Sequence, residues 1–93
     1  MTVVMLVKDG RCWEVLKKEG DLVEYVNADG GVLQGSHVRL IEQGYTAGLA
    51  QRVVKANGQV MHFLLNAEQK VTSIFVDGIV LPPVTGRRYA GRT

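Results

Sequence analysis

Five glycine-containing pairs punctuate the chain: Asp9-Gly10, Glu19-Gly20, Asp29-Gly30, Asn57-Gly58 and Asp77-Gly78. Asn-Gly and Asp-Gly accept positive φ at both central positions of a type I′ turn, so between apolar runs they are the strongest local hairpin signal. The runs they separate ("VVMLVK", "RCWEVLK", "LVEYVN", "HVRLIE", "LAQRVVKA", "QVMHFLLN", "VTSIFV" and "IVL") are rich in β-branched and aromatic residues. A chain cut up in this way has room for short antiparallel strands and little else. The sequence therefore predicts an all-β fold in one domain, since 93 residues suit a single core.

Sliding the chain by 48 residues superposes Gly10 on Gly58, Leu16 on Leu64, Val23 on Val71, Asp29 on Asp77, Gly30 on Gly78, Val32 on Val80 and Leu33 on Leu81. These are seven identities over the thirty positions from Val4 to Leu33, where average residue usage gives roughly two. The halves read as two similar β-meanders, a pseudo-repeat spanning residues 1–43 and 49–83, joined by a linker at 44–48. Two small meanders bury their apolar faces only against each other, as a small sandwich or a partly open barrel. A Tudor- or SH3-like barrel is one version of that fold. The stretch "SIFVDGIVLP", Ser73 to Pro82, also resembles the strand-turn-strand of the Sm-like RNA-binding fold, though the remaining strands of such a barrel would have no chain left to form them.

Alternation assigns faces, because a register error of one residue moves every side chain to the other side of the sheet. With Asn57-Gly58 and Asp77-Gly78 as two-residue turns and 67–70 as a loop, Ala50, Val54, Met61, Phe63, Leu65, Ile74, Val76, Ile79 and Leu81 share the expected core face. Arg52 and Thr72 interrupt it. In the first half, Val3, Met5, Val7, Cys12, Leu16, Val23 and Tyr25 share a face that Glu14 interrupts. The opposite face carries Val4, Leu6, Trp13, Val15, Leu22 and Val26 among charges, so apolarity on both sides predicts a sheet that curls or meets another subunit. Gly35-Ser36 reads as a bulge or barrel bend. A helix over 46–56, stopped by Asn57-Gly58, is the competing local reading.

The single cysteine, Cys12, excludes an internal disulfide and favours a reducing, cytoplasmic setting. The apolar run Val3 to Val7 lacks the flanks of a signal peptide, and no run approaches the roughly eighteen apolar residues of a membrane span. Catalysis would draw on Cys12, His37, His62, Ser36 or Ser73, and these residues form no recognised frame. Cys12 is expected as a small buried hydrophobe and His62 as a surface histidine. The two histidines and one cysteine are widely spaced, unlike the ligands of structural zinc sites. "ADGGVLQGSH" lacks the Lys-Ser/Thr of a phosphate loop and any following helix. No catalytic residue, metal or other cofactor is expected.

Charge is uneven: residues 1–48 carry five basic and seven acidic side chains, a net of −2, and residues 49–93 six basic and two acidic, a net of +4. Much of the excess lies in the basic 84–93 tail, expected to be flexible, where Arg87, Arg88 and Arg92 surround Tyr89. The sequence thus points to a small non-catalytic interaction module, self-associating as a homodimer or occupying a partner protein in an accessory or inhibitory role. Trp13, Tyr25 and the tail residues Arg87, Arg88, Tyr89 and Arg92 are its candidate contacts. Nucleic-acid binding through the basic half and tail is the alternative, and a small-molecule-binding barrel or enzyme the third.

Overall fold

A computed structural model describes residues 1–82 of the protein. It contains β1 (Thr2–Lys8), β2 (Arg11–Glu19), β3 (Leu22–Val26), β4 (Val32–Ser36), α1 (His37–Glu42), β5 (Thr46–Val54), β6 (Val60–Leu65), β7 (Val71–Val76) and β8 (Ile79–Val80). Hairpins join β1 to β4 into one meander and β5 to β8 into another. Antiparallel β1–β5 and β2–β8 pairings stitch the two together. The sheet order β1-β5-β6-β7-β8-β2-β3-β4, with β1 also paired to β2, closes the first six of those strands into a ring. The all-β fold is as expected; of the small sandwich and the partly open barrel it takes the barrel form, with the ring closed by the β1–β2 pairing, and β3 and β4 extend from it. No helix among the described residues is long and apolar enough to cross a membrane.

Several local expectations need correction. "HVRLIE" is not a strand but α1, which also means that a helix does follow "ADGGVLQGSH". Gly35 pairs regularly with Val23 rather than forming a bulge, and the break in strand pattern at Ser36 is a helix start, where its Oγ accepts the Arg39 N–H at 3.2 Å. The helix stops through paired bonds from the Gly44 N–H to the Ile41 carbonyl and the Tyr45 N–H to the Leu40 carbonyl. Gly44 there has φ +102, a conformation that costs a side chain dearly. Residues 46–54 are strand, not helix, because that segment must pair with β1 on one edge and β6 on the other.

The five turn pairs do not all make the same turn. Asp9-Gly10 and Asp77-Gly78 have positive φ at both residues, as type I′ requires. At Gly20, Gly30 and Gly58 only the glycine is left-handed. The Asn57-Gly58 loop is one residue longer than expected: the Lys55 N–H donates to the Gln59 carbonyl at 2.8 Å, and the Asn57 side chain accepts the Gln59 N–H at 3.0 Å.

That extra residue reverses the second half. Ala50 faces Leu64 and Arg52 faces His62, so Leu64, His62, Phe75 and Val80 point inward. Met61, Phe63, Ile74 and Val76 point out. The physical reason is space: the interior of a six-strand ring is narrow and needs small partners beside its large ones. Gly48, Ala50 and Cys12 supply them around Met5 and Phe75.

The first half is split by a bulge between Val15 and Lys17, which leaves Leu16 exposed and moves Val23 and Tyr25 to the other side. One core, inside the ring, gathers Met5, Cys12, Ala50 and Phe75 with Val3, Val7, Leu64 and Val80. The other lies outside β1, under β3, β4 and α1, and gathers Leu6, Val23, Tyr25 and Leu40 with Trp13, Val15, Leu33 and Tyr45. Adjacent residues Met5 and Leu6 are both fully buried, in different cores. The two-sided apolarity of β1 is taken up within the chain at Met5 and Leu6, while Val4 stays exposed.

Candidate functional site

Alternation along β2 and β5 turns Glu14 and Arg52 into the barrel, and each is the charged interruption of an otherwise apolar face. They meet there: Arg52 Nε lies 3.4 Å from Glu14 Oε1. The same carboxylate oxygen is 3.2 Å from His62 Nε2, and on the far side of the ring His62 Nδ1 faces Cys12 Sγ at 3.9 Å. The result is a linear chain of four polar side chains, Arg52, Glu14, His62 and Cys12, drawn from β5, β2 and β6. His62 is not the surface residue its neighbours in sequence suggest, being only 7% exposed.

Burial, and then the Glu14 carboxylate, push the Cys12 thiol up to about 11. A neutral thiol is a weak donor and a weak acceptor, whereas a carboxylate only accepts, so the Glu14 contact is a hydrogen bond that His62 Nε2 donates. Thiol, imidazole and carboxylate in this order resemble a nucleophile, its base and an orienting acid. The neutral, enclosed thiol is nonetheless a poor nucleophile, since reactive cysteines need a depressed pKa and access.

The chain floors a cavity of about 400 Å³, whose rim is built from Asn27, Ala28 and Asp29 on one side and Asp77 and Gly78 on the other. The two Asp-Gly turns are packed together here: a Cβ placed on Gly78, already at φ +85, would sit 3.0 Å from Ala28 Cβ. Asp77 anchors its turn by accepting the Val60 N–H at 3.1 Å.

Of the expected contact residues, Tyr25 is only 2% exposed, and burial raises its hydroxyl above the usual tyrosine range. Trp13 is half-buried and meets Tyr45 edge-to-face at 5.4 Å, with Lys8 Nζ 4.8 Å from the centre of the Tyr45 ring. Both aromatics belong to the second core. Tyr25 also lines the wall of a cleft of about 540 Å³ between the β2–β3 hairpin and α1, together with Val4, Val15, His37 and Val38. Arg87, Arg88, Tyr89 and Arg92 lie outside the described residues.

The register correction turns Met61, Phe63, Ile74, Val76 and Ile79, expected on the core face, outward to join Val53 and Gln51. Val53, Met61, Val76 and Ile79 stand opposite one another across β5, β6, β7 and β8, and Gln51, Phe63 and Ile74 form the next row. Val53 and Ile79, at the ends of the first row, are 45% and 55% exposed. No charged side chain projects from these two rows. The signal for this face was present as apolar residues on both sides of β6 and β7, but the choice of side rested on one loop length. No family model, curated protein or solved structure matches the chain.

Proposed function

We propose that the protein is a non-catalytic interaction module that associates with itself, and through the same surface with a partner protein, by the outer face of β5–β8. One observation carries this reading: two adjacent rows of this sheet face are apolar and uncharged, with Val53, Met61, Val76 and Ile79 in one and Phe63 and Ile74 in the other. Contiguous apolar patches of this kind on small proteins mark interaction surfaces, and a twofold arrangement lays the same patch on itself. An accessory or inhibitory role follows from covering a partner's apolar surface in place of a second copy.

Light scattering from about 1 to roughly 100 micromolar, a range that captures weak as well as tight dimers, is the test. The wild type is expected to approach the mass of a dimer, and the Ile74→Lys, Val76→Lys double variant to remain a monomer with an unchanged β-type circular dichroism spectrum. A wild type that stays monomeric throughout defeats the self-association reading.

A further inference from the structure

The pair Cys12 and His62 faces inward, on the opposite side of β6 from the association surface, and has its own geometry to explain. Sulfur and Nδ1 point at each other across 3.9 Å, long for a hydrogen bond, and both groups are enclosed, with Cys12 3% and His62 7% exposed. The far nitrogen of the ring is held by Glu14, which is itself held by Arg52. An imidazole fixed through its second nitrogen by a carboxylate is the outer-shell arrangement that orients metal-ligating histidines and makes them more basic.

We propose that Cys12 Sγ and His62 Nδ1 are a two-coordinate site for a soft monovalent metal ion of the copper(I) type. An ion bonded to one sulfur at roughly 2.3 Å and one imidazole nitrogen at roughly 2.0 Å holds the two atoms no more than about 4.3 Å apart, and two-coordinate ions bond more closely still. The observed separation accommodates such an ion without moving the backbone. Thiolate and imidazole together point to copper or zinc among biological metals. Zinc is disfavoured because it wants four ligands: the buried neighbours of Cys12 are Met5, Ala50 and Phe75, and among the described residues no three of His, Cys, Asp and Glu gather around one point.

Binding is a ligand exchange with no electron transfer. The ion arrives monovalent, the Cys12 S–H bond breaks, sulfur and Nδ1 each form one bond to the ion, and one proton leaves to solvent. The cavity bordered by Asn27, Asp29, Asp77 and Gly78 is lined by both Cys12 and His62 and supplies the entry path. Glu14 keeps its hydrogen bond to Nε2 throughout.

The experiment uses the full chain, titrated anaerobically with copper(I) alone against a chromophoric competitor, with silver(I) as a redox-inert check. The expected result is one ion per chain, loss of Cys12 alkylation on loading, and an X-ray absorption first shell of one sulfur and one nitrogen. Cys12→Ala abolishes the site while keeping every methionine, His62→Ala removes the nitrogen shell, and Glu14→Gln weakens affinity by about 10- to 100-fold. Equal affinity in wild type and Cys12→Ala overturns the proposal. So does a wild-type first shell of sulfur without nitrogen, which is read on the native chain and needs no variant to fold.

Discussion

The two meanders share an offset of 48 residues and a strand count, yet they distribute their side chains differently. In the first, the bulge at Leu16 divides the sheet between two cores, so β1 is buried on both sides. In the second, the irregularity between Leu64 and Leu65 lies at the loop end of the β6–β7 hairpin and no second core covers the sheet: one face of β6–β8 fills the ring and the other is turned to solvent. Near-repetition of sequence thus yields a half that is self-contained and a half with a face to spare. The difference comes from one extra residue in each, Leu16 within a strand and one more in the Asn57-Gly58 loop.

The sharpest way to break this comparison is to truncate adjacent residues. In the first meander, Met5→Ala and Leu6→Ala are each expected to cost about 2–5 kcal/mol, because neighbouring side chains enter different cores. In the second, Phe75→Ala is expected to cost about 3–5 kcal/mol and its neighbour Ile74→Ala about 1 kcal/mol or less, as for a partly exposed site. Denaturant unfolding of the four variants measures this; a larger loss at Ile74 than at Phe75 would restore the opposite facing, and equal losses would mean that both sides of β7 are covered.

A smaller effect tests the seam between the meanders. Glu14→Gln leaves Arg52 and His62 inside the barrel without the negative charge they share. Because this pair is partly open to solvent, the loss is expected near 1–2 kcal/mol rather than the larger cost of a fully buried pair. A double-mutant cycle with Arg52→Gln should return a favourable coupling; additivity would mean that the two charges ignore each other.

A further effect is confined to alkaline pH. Cys12 titrates near 9.0 when free and is raised to about 11 in the fold, so the folded state holds a proton that the unfolded chain releases. Below 9.0 the group is neutral in both states and contributes no pH dependence. Stability should therefore fall as pH rises from about 9 toward about 11, and Cys12→Ala should flatten that limb of the curve.

The class of fold was legible because glycine turn pairs and β-branched runs are local signals, and the β6–β7 and β7–β8 registers followed from them. The face of β6 was not legible, since it hung on whether Asn57 or only Gly58 takes positive φ, and the Asn57 side-chain bond to Gln59 decides that only in three dimensions. The helix could have been read from Ser36 as an N-cap and Gly44 as a stop, but "HVRLIE" has strand-like composition and α1 is held by burying Leu40, a tertiary effect. The polar chain left a fainter trace. Glu14 and Arg52 were the odd charges on two apolar faces, and a charge that survives on a core face in each half is a hint that the two are partners. Trp13 and Tyr25 drew attention as surface aromatics because sequence cannot show that a second core exists to receive them.

The strand that completes the ring is only two residues long, and its hold on the first meander rests on the Cys12 N–H to the Gly78 carbonyl and the Val80 N–H to the Gly10 carbonyl. These bonds join residues far apart in the chain, so they form late and are the cheapest part of the ring to release. Lifting this latch opens the wall beside Cys12 while the other hairpins stay paired. In hydrogen exchange the amides of Cys12 and Val80 should therefore report a local breathing motion well below the free energy of global unfolding, widening the approach to the thiol beyond the cavity already present.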